Sequence, residues 1–138
     1  MTPESIAQFG LAVNAARFLI SEDLATTASS IRDFFASKFG SDATPKDREI
    51  LLSSAGLEYV VSLRTISIDI LNYLSDEVNK AESAYVRCLK AATSRGERNK
   101  CDRDAENIIC EALERSKLRN GGILPSPFEP AWKRYGCG

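Results

Sequence analysis

The sequence predicts an all-α, up-and-down bundle of about four helices, with one long central helix and an extended C-terminal tail. Apolar residues recur at steps of three and four along most of the chain, and no stretch alternates as a half-buried strand must. The 138 residues, 43% of them hydrophobic, suffice for one buried core and not for two. Residues 1–120 read as the helical bundle and 121–138 as the tail. No internal repeat or low-complexity segment interrupts them.

Pro3 suits the first position of a helix capped by Thr2, and Ile6, Phe9, Val13, Ala16 and Ile20 form its inward stripe. Gln8, Asn14 and Arg17 interrupt that stretch and no basic segment precedes it, so it fits neither a secretory signal nor a membrane span. As written the chain reads as cytoplasmic; the mature form of an exported or periplasmic protein would read the same.

A second helix is expected from Ser21, where Ser-Glu-Asp joins a cap to acids at the positive end of the dipole, to Gly40. Its stripe is Leu24, Ala28, Ile31, Phe35 and Phe39. Thr44-Pro45, with Asp47 in the first turn, starts a third, whose helical pattern runs to about Thr93 with Gly56 as the place where it breaks or bends. The inward seam is Val60, Leu63, Ser67, Ile70, Leu74, Val78, Ala81, Tyr85, Cys88 and Ala92, while Val61 and Ile68 lie off it and suggest that the first half sits centrally. A helix from Leu57 to Thr93 would be about 55 Å long, more than shorter neighbours cover, which points to homo-oligomerisation.

Ser94-Arg95-Gly96 reads as a helix stop, followed by a fourth helix from about Asn99 or Cys101 to Arg119, with Ala105, Ile108, Ile109, Ala112 and Leu113 inward. The third and fourth helices should form an antiparallel hairpin. After Asn120-Gly121-Gly122 the composition changes to ILPSPFEPAWKRYGCG, where Pro125, Pro127 and Pro130 argue against regular helix.

The four cysteines, Cys88, Cys101, Cys110 and Cys137, have no CxxC pair and no metal-ligand spacing. Cys88 and Cys101 fall on inward stripes either side of the hairpin turn, and pairing Cys88 with Cys110 is compatible too. Four cysteines allow three connectivities, and buried free thiols are equally natural in a reducing compartment. Cys137 is placed either to staple the tail to the bundle or to bond another chain.

With no His, the chain lacks Ser-His-Asp and Cys-His dyads, ordinary catalytic zinc ligands and any His switch. A formal net charge of -1 gives no overall field for nucleic acid or an anionic membrane, and neither is expected as a partner. The cluster Arg95, Arg98, Lys100 and Arg103 is interleaved with Glu97, Asp102 and Asp104 and reads as a solvated turn. No metal, cofactor or catalytic residue is predicted. The leading expectation is a non-enzymatic protein-binding module of inhibitor, immunity-protein or adaptor type, acting on another protein through its helical surface and tail. The large apolar residues of the tail either pack back over their own bundle or are held out for a partner, and in the second case Phe128, Trp132 and Tyr135 are the expected partner-binding residues, because an aromatic held in water is a natural anchor. One alternative is a small helical enzyme or ligand carrier using Arg64, Glu77 or Glu82 at the seam's edge. Another is a thiol-dependent redox protein using Cys101 or Cys137.

Overall fold

In the computed structural model the described residues are 3–21 and 54–138, and their regular structure is entirely helical. The all-α bundle is as expected; the second predicted helix and the Thr44-Pro45 start lie outside the described residues. The order is α1 (Pro3–Ser21), α2 (Ser54–Leu63), α3 (Ile68–Ala91), α4 (Arg95–Arg119), a 3₁₀ turn (Ser126–Phe128) and α5 (Glu129–Arg134).

Helix α1 begins at Pro3, as the fixed φ and missing N–H of proline allow. Ile6, Phe9, Val13 and Ala16 are buried as predicted, and so are Ala12, Ala15 and Leu19, while Ile20 is only partly covered. The buried arc is therefore much wider than one stripe. Helix α1 packs on both α2 and α3. Helix α3 in turn packs on both α1 and α4, while Val61, which lies off the seam, is 38% exposed. Gly10 lets α1 approach α3 closely, since a Cβ there would lie 3.3 Å from Val78 Cγ1. Polar groups in this contact are paired: Ser75 Oγ donates to Asn14 Oδ1 at 2.6 Å, and at the exposed edge Arg17 Nη1 donates to Asn72 Oδ1 at 3.5 Å.

The long helix expected through Thr93 is two helices. Gly56 sits inside α2, and the break falls at Arg64–Ser67. Arg64, Thr65 and Ile66 each donate to the carbonyl three residues back, which tightens the chain out of α-geometry. Ser67 is then extended, and its Oγ accepts from Ile70 N at 3.3 Å, capping α3 with Asp69 in the first turn. Ser67 is thus an exposed cap rather than a seam residue. The length argument for homo-oligomerisation goes with the 37-residue helix that carried it. The rest of the seam holds: Ile70, Leu74, Val78, Ala81 and Tyr85 are buried, joined by Leu71.

Ser94 starts α4 instead of stopping α3. Its Oγ accepts from Glu97 N at 3.1 Å while Glu97 Oε2 accepts from Thr93 N at 2.8 Å, a reciprocal pair close to a capping box. Helix α4 packs against α3 with Ala105, Ile109, Ala112 and Leu113 buried and Ile108 partly so.

The tail is folded, not extended. Pro127 and Pro130 occupy the opening positions of the 3₁₀ turn and α5, where a backbone N–H has no intrahelical acceptor and its absence costs nothing. Phe128 is 0% and Tyr135 3% exposed. Phe9 of α1 meets both rings, tilted on Phe128 at 6.5 Å and edge-on to Tyr135 at 6.3 Å.

Candidate interaction surface

All four cysteines are paired. Cys88–Cys101 joins the end of α3 to the second turn of α4, one of the two pairings left open by sequence, and Cys110–Cys137 joins the middle of α4 to the third residue past α5. The second pair depends on how α5 ends. Gly136 takes φ 69°, Gly136 N donates to Lys133 O and Cys137 N to Trp132 O at 2.9 Å, which is a Schellman turn. That turn brings Cys137 back over α4.

Helix α4 ends the same way. Asn120 is the cap, Gly121 takes φ 71°, and Gly122 N donates to Lys117 O at 3.0 Å. Asn120 Nδ2 further donates to Ile123 O at 2.8 Å, fixing the exit of the chain. On either side of this turn stand Leu118 and Ile123, 66% and 70% exposed. They are the most exposed large hydrophobic side chains among the described residues.

The cations beside Leu118 rest on aromatic rings. Lys117 Nζ lies 5.8 Å from the centroid of Trp132, and the Arg119 guanidinium lies 4.0 Å from that of Tyr73 on α3. Among the described residues neither cation has an ion-pair partner, whereas Arg115 pairs with Glu111 at 2.7 Å.

The aromatics expected to touch a partner are mostly used internally. Phe128 and Tyr135 are core residues, and Trp132, half-buried, presents a ring to Lys117. The Phe128 and Tyr135 rings are covered by Phe9 of α1, and the 3₁₀ segment packs on α2, whose Tyr59 faces Tyr135. The signal missed in sequence was the KLR segment before Asn-Gly-Gly: Leu118 lies outside the inward stripe of α4, and Ile123 follows the stop.

The residues proposed for an edge site do not converge. Glu77 pairs with Lys80 at 3.1 Å, Arg64 is exposed at the α2–α3 break, and Glu82 lines an open depression on α3 with Asn79, Ser83, Val86 and Arg87. Arg95, Arg98, Lys100 and Arg103 are all exposed, with Lys100 paired to Asp104 at 3.3 Å. Tyr59, facing Tyr135 and Arg134, has its phenol pushed well above the ordinary value of 10.0, first by burial and then by Tyr135, against a smaller opposite pull from Arg134. It is therefore neutral at physiological pH. No described helix is long and apolar enough to cross a membrane, and the described residues contain no group of three or more His, Cys, Asp or Glu placed to hold a metal ion. Compared with known proteins, the chain matches no family model, no curated protein and no solved structure.

Proposed function

We propose that the protein is a small, non-enzymatic helical module that binds another protein, of inhibitor, immunity-protein or adaptor type, and works in an oxidising compartment. The observation that carries this reading is the pair Leu118 and Ile123, held in water on a turn closed by hydrogen bonds, within the segment that the Cys110–Cys137 bridge loops back onto α4. Large aliphatics exposed on an ordered turn contribute little to folding and leave apolar surface that a partner can cover. A turn fixed in advance also loses little entropy on binding. Two disulfides, using every cysteine, support export, because such bridges persist outside reducing compartments. The contact surface is then the α4–α5 turn, not the buried faces of Phe128 and Tyr135.

The test compares the intact chain with Leu118→Ser/Ile123→Ser as bait under non-reducing conditions. Capture of a defined partner by the first and its loss with the second supports the reading. If the intact chain captures no protein and shows no concentration-dependent association, the binding-module reading falls.

A further inference from the structure

Charge is distributed unevenly around the exposed turn. The whole chain carries -1, yet the stretch from Arg115 to Phe128 holds three cations, Arg115, Lys117 and Arg119, and no acid. Cations near a helix C-terminus are favoured by the dipole, which accounts for their presence but not for their placement. Arg115 is answered by Glu111. Lys117 and Arg119 are instead seated on Trp132 and Tyr73 and lack a carboxylate partner among the described residues. Trp132 is itself held by α5, which Cys110–Cys137 ties to α4. Two positioned cations without an ion pair among the described residues therefore flank an exposed Leu118, with Ile123 beyond the turn.

Building on the protein-binding reading, the geometry points to a partner protein whose contact segment is acidic around an aliphatic centre. Its apolar side chains cover Leu118 and Ile123, and its Asp or Glu carboxylates meet Lys117 and Arg119. A neutral or basic face would leave those cations unmatched and desolvated, which is costly. Aromatic seating keeps the cations in place before the partner arrives, so the charge contribution appears in both association rate and salt dependence.

The experiment places a photo-cross-linking amino acid at Ile123 of the full, disulfide-bonded chain, with a control at Arg98 on the opposite end of α4, and maps the partner peptides joined in source cells. The expected product forms from position 123 only, on a segment rich in Asp and Glu. Lys117→Gln/Arg119→Gln should lower its yield about tenfold at low salt. The difference should vanish near 1 M salt, where screening acts within about 3 Å. A product on a neutral or basic segment, on a second copy of this chain, or unaffected by the double variant overturns the proposal. So does a product from position 98 alone, although protein binding itself then survives. If no protein is joined at either position and the intact bait also captures none, both readings fall. Circular dichroism and intact disulfides show that each variant is folded.

Discussion

At its N-terminal end α4 starts three residues after α3 stops, and at its C-terminal end it is followed by a turn, a 3₁₀ segment and α5. One disulfide ties α3 to the second turn of α4 and the other ties the segment after α5 to its middle, and each end of α4 is closed by hydrogen bonds to a capping residue or turn. The first end is polar throughout: every residue from Thr93 to Lys100 is exposed, and none is a large apolar one. The second buries Phe128 and Tyr135 while leaving Leu118 and Ile123 in water. Equal covalent restraint thus supports two different surfaces, one merely solvated and one carrying apolar groups that folding does not use.

The largest effect should come from the buried part of the second end. Phe128→Ala removes a ring that is 0% exposed against Phe9, and should cost about 4 kcal/mol, read as a lower urea midpoint at unchanged slope. A cost below about 1 kcal/mol would mean that the tail is not part of the core.

Removing the disulfides compares the two ends directly. Sequence separations of 27 for Cys110–Cys137 and 13 for Cys88–Cys101 imply losses of about 3.5 and 3 kcal/mol for the respective Cys→Ala pairs, from loop entropy alone. The first pair should also loosen Trp132 and redden its fluorescence, whereas the second should not. Equal fluorescence changes in both would show that α5 is held by packing and not by its bridge.

The two ends were unequally readable in sequence. The Asn120-Gly121-Gly122 stop and most of the buried stripe of α4 followed from periodicity and the conformational freedom of Gly. Arg95-Gly96 resembles a terminator and so makes Ser94 read as a stop, although Ser94 with Glu97 three residues on is a start signal. A similar oversight hid Ser67, whose cap splits the long helix. The prolines of the tail misled because proline excludes only helix interiors, and here Pro127 and Pro130 open their segments. Leu118 and Ile123 were passed over because an isolated apolar residue off the stripe carries no periodic signal; only the exposure of the folded chain reveals it.

Alkaline pH probes the contact of α2 with the tail. Tyr59 is held neutral in the folded state above its ordinary 10.0, so below that value its contribution is fully present. Above pH 10 the unfolded chain loses the phenol proton and the folded chain keeps it. Stability then falls, by at most about 1.4 kcal/mol per pH unit, until the folded value is reached. Tyr59→Phe should remove this slope, as followed by denaturant midpoints between pH 9 and about 11. An unchanged slope would assign it to another group.

At the polar end, Ser94→Ala removes the acceptor for Glu97 N and should cost about 1 kcal/mol, measured by the same midpoints. The result sharpens the contrast, because at this end the turn from Thr93 to Lys100 is wholly exposed and is held by its cap and the adjacent bridge, with Tyr85 the large side chain buried beneath.

The smallest effect is the one that separates folding from function. Leu118 and Ile123 already lie mostly in water, so Leu118→Ser/Ile123→Ser removes little buried surface and should shift stability by less than about 0.5 kcal/mol per site. Neither change removes a hydrogen-bonding group of the turn, whose bonds run through the backbone of Ser116, Lys117, Asn120, Gly122 and Ile123 and through the Asn120 amide. A near-zero shift in the urea midpoint would therefore show that the fold does not need these side chains, and would make any loss of partner capture in the same variant a loss of contact. A shift as large as that of Phe128→Ala would place them in the core and remove the physical basis for calling this end of α4 a binding surface.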